Sequence, residues 1–263
     1  MKVIQIPKAT TRDLCFILKG TSPLLVHRFG KKAQREILIK QLKKSKVGRE
    51  KRDVLTEFWD AIYWKVPFQM YGFPASAFFK AFKRQAKYVQ GLNMTDFSSN
   101  VSIRGHDDGF FVAIWGDPAM HFAMVRVKGG GADLRIRPCF YNWGALVKVS
   151  YNENVLSDEI ISTLIDRAGK LTGVGDWRPE KDGIYGTFQV ERCFEISDED
   201  VRKLEENLLT ERLAEHPVIT PAEVPDPVKL KAVSANLTPA ETRELVGPEL
   251  EEIVEVWEEL VAA

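Results

Sequence analysis

The hydrophobic pattern changes period several times along the chain, and each change marks an element. Residues 13–20, DLCFILKG, form an apolar run closed by a glycine and predict a first buried strand. The turn residues Thr21-Ser22-Pro23 follow, and Leu24 to Arg28 return to apolar character. Lys31 to Asp53 is strongly basic, with Ile37, Leu38 and Leu42 on one side. It predicts a helix to about Lys44 and a flexible link beyond. Val54 to Trp64 has helical periodicity. Tyr71-Gly72-Phe73 reads as a short aromatic strand, and Pro74 opens a helix with Ser76 placed as its cap. Phe78, Phe79, Phe82, Ala86 and Val89 recur there at helical spacing, while Lys80, Lys83, Arg84 and Lys87 occupy the other face.

Gly91 to Gly109 is rich in Asn, Ser, Gly and Asp and reads as loop. Phe110 to Trp115 predicts a strand that Asp117-Pro118 breaks, and Met120 to Lys128 alternates as another. Strands are also expected over Asp133 to Phe140, Ala145 to Tyr151 and Thr187 to Phe194. Ser157 caps an intervening helix, and a glycine-rich segment runs from Gly173 to Gly186. This order predicts an α+β fold of ferredoxin-like topology with insertions. The expected division is a domain over 1–196, with an insertion at about 91–131, and an acidic helical C-terminal tail over 197–263. A proline-rich linker at 216–228 divides that tail, and Trp257 stands in its last helix.

Charge changes the picture. The net charge is zero, yet residues 1–150 hold 26 Lys and Arg against 11 Asp and Glu, and residues 151–263 hold the reverse. A division of this kind fits a polyanion bound to the basic half, or the acidic end folded over that face or over a neighbour's. Three scattered cysteines, Cys15, Cys139 and Cys193, form neither a disulfide framework nor a zinc motif. With no membrane-length apolar run and no signal-peptide core in MKVIQIPKAT, the expected setting is the cytoplasm.

No phosphate-binding P-loop, dinucleotide fingerprint or nucleophile elbow occurs, no histidines fall at metal-ligand spacing, and no cofactor is expected. His27 is the one candidate for general acid/base work: it either takes a proton from a ribose 2′-hydroxyl or serves as structure or a phosphate donor. Basic and aromatic residues interleave from Phe29 to Tyr88 and again from Arg126 to Trp143. Single-stranded nucleic acid requires that mixture, since cations track the backbone and flat rings stack the bases. Tyr88, Phe97 and Trp143 are expected as surface rings, and Phe78, Phe79 and Phe82 as core.

Three segments resemble a known family. Gly20-Thr21-Ser22-Pro23-Leu24 is similar to the opening of the RAMP superfamily, which includes the Cas7 backbone subunits. Tyr71 to Arg84, YGFPASAFFKAFKR, resembles their I-P-G-S-S-L-K-G-A-L-R helix start, with Ala75 in place of the glycine. Gly173 to Gly186 is similar to their C-terminal glycine-rich loop. The G-T-S-P-L-x-x-H-R opening also resembles uncharacterised tailed-phage proteins. The resemblance, over about 10–195, implies an RRM-related palm with an inserted finger or thumb and head-to-tail assembly on a single strand. The acidic tail departs from that pattern. The expected function is binding of single-stranded nucleic acid, DNA slightly ahead of RNA, in phage replication or recombination and without catalysis. The expected groove residues are Arg28, Lys31, Lys80, Lys83, Arg84, Lys87, Tyr88, Arg126, Arg135, Arg137, Trp177 and Arg178. The alternatives are a metal-independent endoribonuclease using His27, and a phage protein that binds an acidic protein partner. The Trp257 helix is expected either to dock on a neighbouring protomer or replication protein, or to pack as an appendage.

Overall fold

The protein is described by a computed structural model covering residues 10–28, 54–65, 70–105, 110–126, 132–195, 203, 207, 210–218 and 231–234. Strand β1 (Thr11–Gly20) lies between β7 (Ala132–Asn152) and β8 (Phe188–Glu195), antiparallel to both. Strand β6 (Phe111–Arg126) pairs antiparallel with the other side of β7. Helix α2 (Ala75–Ala86) falls between β1 and β6 in the chain, and α4 (Asp158–Leu171) between β7 and β8. The order β6-β7-β1-β8, antiparallel throughout, with α2 in the first crossover and α4 in the second, is ferredoxin-like topology. The chain is α+β.

Short elements extend this core. Strand β2 (Leu24–Leu25) and β5 (Val101–Arg104) pair with β7. Helix α1 (Val54–Asp60) leads to β3 (Trp64–Lys65), which pairs with β4 (Met70–Pro74), and β4 pairs with β6. Helix α3 (Met94–Asn100) precedes β5, and β9 (Lys231–Ser234) runs parallel to β6.

The unbroken apolar run of β1 is explained by its burial on both faces. Leu14, Phe16 and Leu18 join the main core with Phe78, Phe82, Leu164 and Ile165 of α2 and α4. Cys15 and Ile17 point the other way, into a second cluster with Met70, Ala113, Trp115 and Leu146. Leu213, in the helical segment 210–215, packs on that second cluster. Arg212 of the same segment lies 5.9 Å from the Trp115 ring, and His216 Nδ1 is 3.1 Å from Asp117 Oδ1. Residues 212–216 of the tail are therefore a cover for the sheet. Each large apolar side chain withdrawn from water in these two layers contributes about 1.5–3 kcal/mol.

Several expectations change. Ser76 does not cap α2: Pro74 holds the N-cap position without a side-chain hydrogen bond, and Ser76 is already inside the helix and exposed. The 91–109 stretch is not all loop. Asn93 accepts from the Thr95 and Asp96 backbone N–H groups and caps α3, whose polar sequence buries only Phe97. The stretch 91–131, expected as an insertion, supplies β5 and also β6, a strand of the ferredoxin-like core. Asp117-Pro118 bends β6 without ending it, because the register shifts between Trp115 and Asp117 and relaxes the need for a ladder N–H. Likewise, the two strands expected over 133–151 are one, with Asn142 at φ 48° in the middle. Phe97 and Trp143, expected as surface rings, are buried; Trp143 Nε1 donates to the Ser22 carbonyl at 2.7 Å. The tail, expected to be helical, contains a strand at 231–234. The segment 31–53 and Trp257 lie outside the described residues.

Candidate functional site

The three segments picked out in the sequence meet in space. The Ser22 hydroxyl accepts from the Thr187 backbone N–H at 3.0 Å, and Gly186 N–H donates to the Pro23 carbonyl at 2.7 Å. Asp176 N–H donates to the Leu25 carbonyl at 2.9 Å. The Thr21-Ser22-Pro23 turn and the glycine-rich loop are thus laced along their length. Two glycines make this possible. Gly175, at φ +84°, would place a Cβ 2.6 Å from the Leu25 carbonyl oxygen; Gly186, at φ +68°, would place one 1.7 Å from that of Val174.

Helix α2 is tied to the same loop from the other side. Buried Gln85 donates to Thr172 Oγ1 at 2.7 Å where α4 ends. Nearer the solvent, Glu180 bridges two arginines: its Oε1 lies 2.8 Å from Arg84 and its Oε2 2.8 Å from Arg178. Burial pushes the Glu180 carboxyl up, but the hydrogen bond and charge of Arg178, with Arg84 and Lys181, outweigh it and hold it below the ordinary value. Arg178 also donates to the Gly175 carbonyl at 3.0 Å, so this side chain braces the loop. Replacing Glu180 with Gln is expected to cost about 1–2 kcal/mol at pH 7. A depressed folded-state pKa means that the contribution is present at neutral pH and lost as the pH falls through it. Melting curves of both proteins at pH 7 and pH 4 check this, with the difference shrinking at the lower pH.

Between these elements lies a cleft of about 340 Å³, lined by His27, Tyr63, Ser76, Lys80, Asp176 and Arg178, among others. The N-terminal turn of α2 opens into it. Lys80 is exposed at its edge, and Lys83 and Lys87 continue the same helix face at spacings of three and four residues. Among the described residues no carboxylate pairs with Lys80 or Lys83. The helix face therefore offers open cations leading out of the cleft, with Arg84 beside them held on Glu180.

On the sheet side, Arg137 is buried with its Nη1 3.0 Å from Asp176 Oδ2, and its Nε has no hydrogen-bond partner. His27 Nδ1 stands 3.8 Å from the same carboxylate oxygen, beyond hydrogen-bond length. Burial and then the Arg137 charge lower the His27 pKa, against the pull of Asp176. Opposite Arg137 on β6, His121 is buried and lowered to about 4 by burial and Arg137, with Tyr185 Oη 3.3 Å from its Nε2. Both imidazoles are neutral at pH 7.

The remaining expected residues spread outward. Arg28 donates to the Ile62 carbonyl at 3.3 Å and sits 6.0 Å from the Tyr63 ring centroid. Arg135 shares the sheet face of Arg137, two positions along β7. Arg126 ends β6 three positions beyond the partner of Arg135, about 10 Å further out. Tyr88 is exposed past the end of α2, with Lys87 Nζ 4.5 Å and the Arg167 guanidinium 5.7 Å from its ring. It lies about 18 Å from Ser76 along the helix. Trp177 is exposed on the glycine-rich loop at φ 50°, its ring 6.5 Å from Tyr185. Lys31 lies outside the described residues.

Sequence reasoning missed Tyr63, Asp176 and Glu180. Tyr63 was concealed in an apolar stretch read as one helix, whereas α1 ends at Asp60 and the chain turns before β3. The alternating charges of Asp176-Trp177-Arg178-Pro179-Glu180 were a usable signal for an ion-paired loop.

Comparison with family models and with curated proteins found no match. Among solved structures, the chain is similar to one in the Type III-B Cmr-beta complex bound to cognate target RNA, at 11% identity and a TM-score of 0.44. That match covers 71% of this chain and 61% of the other, so the chain spans about three-fifths of its length. It is also similar to Cmr6 from Pyrococcus furiosus, at 12% identity and a TM-score of 0.34, over 71% of this chain and 98% of that one. Among the described residues no helix is long and apolar enough to cross a membrane, and no cluster of three or more His, Cys, Asp or Glu could hold a metal ion.

Proposed function

We propose that the protein binds single-stranded nucleic acid in the cleft between α2 and the glycine-rich loop, as a non-catalytic RAMP-like protein. The carrying observation is the convergence of the turn at 21–23, the start of α2 and the 173–186 loop on one cleft with Lys80 at its edge. A strand enters over Ser76 and Lys80 and follows Lys83 and Lys87 along the helix. Each phosphate so neutralised releases counterions, so affinity falls with salt. In this reading, protomers assemble head to tail along the strand in phage DNA replication or recombination, with DNA preferred to RNA. The acidic tail beyond its docked segment meets a neighbouring protomer or a replication protein. Gel-shift titrations with single-stranded DNA, RNA and duplex DNA at two salt concentrations test this. Salt-sensitive binding to single strands ahead of duplex supports it; equal binding to duplex, or none to any oligonucleotide, counts against it.

His27 gives the binding a pH signature. Its pKa starts below the ordinary 6.5, and a phosphate in the cleft favours its charged form. Affinity is expected to rise about two- to tenfold as the pH falls from 7.5 to 5.5. His27→Asn should flatten that rise in an anisotropy titration.

One observation favours a second reading, a metal-independent endoribonuclease. A histidine that is neutral at pH 7 stands in the same cleft as Lys80, near Asp176 and Arg137. Cleavage of labelled RNA in the presence of a chelator, abolished by His27→Ala, would replace the non-catalytic reading.

A further inference from the structure

Tyr63 differs from the aromatic residues around it. Phe58, Tyr71, Phe73 and Phe78 are buried, whereas Tyr63 is only half-buried and keeps surface in the cleft beside Lys80 and His27. Its ring is nonetheless fixed. Phe73 meets it edge to face with centroids 6.0 Å apart, and Phe111 lies tilted against it at 5.5 Å. The backbone is fixed as well, since the Tyr63 carbonyl accepts from Gly72 N–H at 2.7 Å as the chain enters β3. A half-exposed ring held this firmly loses little freedom when a flat ligand lands on it.

The Arg28 guanidinium stands over the ring, 6.0 Å from its centroid, at the outer limit of a cation–π contact. Its hydrogen bond to the Ile62 carbonyl holds it over the ring at that distance. Aromatic faces and guanidinium planes are the two surfaces on which unpaired bases stack. A ring, a flanking guanidinium and an open lysine in one cleft match the parts of a single nucleotide: base, partner plane and phosphate. Duplex DNA cannot offer a base to this ring without unstacking it.

We propose that Tyr63 is the stacking platform for one unpaired nucleobase, flanked by Arg28, with the adjoining phosphate on Lys80. This rests on the reading of the cleft as a single-strand site and adds the residue that holds a base. Stacking is tolerant of base identity, so the pocket accepts purines and pyrimidines alike.

The test uses the full-length protein and a single-stranded oligonucleotide carrying 5-iodouracil. Irradiation followed by mass spectrometry is expected to place a crosslink on Tyr63. In anisotropy titrations at two salt concentrations, Tyr63→Leu should weaken binding about 5- to 100-fold with the salt slope unchanged. Tyr63→Phe should bind as the wild type does. If Tyr63→Leu does not fold, the crosslink map and the Tyr63→Phe titration decide. Crosslinks confined to other residues, or a folded Tyr63→Leu that binds within twofold of wild type, would overturn the inference while leaving the cleft as the binding site. A wild-type protein that binds no oligonucleotide overturns the inference together with the reading beneath it.

Discussion

Reversing two charges, Lys80→Glu with Lys83→Glu, is expected to reduce affinity for single-stranded oligonucleotides about 100- to 1,000-fold at low salt and leave the melting temperature nearly unchanged. Lys80 is exposed and Lys83 half-buried on α2, and no carboxylate among the described residues pairs with either. The helix is held by Phe78, Ala81, Phe82, Gln85 and Ala86 on the opposite face. Removing two phosphate contacts lowers the salt slope by about two, and the two new negative charges add repulsion. Arg84 is the wrong choice for this experiment despite its place in the same basic row. Its guanidinium also holds Glu180, so Arg84→Glu would loosen the loop and lose binding for a mixed reason. Gel-shift titration of the double variant, with a thermal melt beside it, separates a lost contact from a lost fold.

Gly186→Ala should have the larger effect on stability. A side chain here combines a left-handed backbone with a Cβ 1.7 Å from the Val174 carbonyl oxygen, which is backbone and cannot turn aside. The conformational strain alone costs about 1–3 kcal/mol, and the required shift of the loop adds a similar amount. Gly186 N–H donates to Pro23 and its carbonyl accepts from Val174 N–H, so displacement unlaces the loop from the turn at 21–23. A loss of about 3 kcal/mol or more in denaturant unfolding is expected, with binding lost in the fraction that still folds. If Gly186→Ala unfolds as the wild type does, the loop is less tightly laced than described.

How much of this was legible beforehand follows from what each signal depends on. Burial pattern alone revealed α2 and α4, whose apolar positions face one packed core at helical period, and β1, whose unbroken apolar run is buried on both faces. Polarity was misleading at α3, where a single buried phenylalanine and an asparagine cap suffice for a helix. It was misleading again at Asp117-Pro118 and Asn142, where long strands absorb a bulge and a left-handed residue without ending. For the site, the three segments were visible, but their lacing was not, since it runs through backbone hydrogen bonds that carry no side-chain signature. Charge marked Arg84 and Arg178 as cations without showing that both face Glu180. Nor could it show Arg137 buried beneath Asp176, because an arginine's exposure depends on partners brought from elsewhere in the chain.

The central claim is that the strand occupies the cleft between α2 and the glycine-rich loop. Amide hydrogen exchange, measured with and without a single-stranded oligonucleotide, tests it most directly. Protection is expected to rise at 76–84 and 173–183, with little change over the sheet face covered by 210–215. Protection confined to that covered face, or to neither region while binding is saturated, would contradict the account.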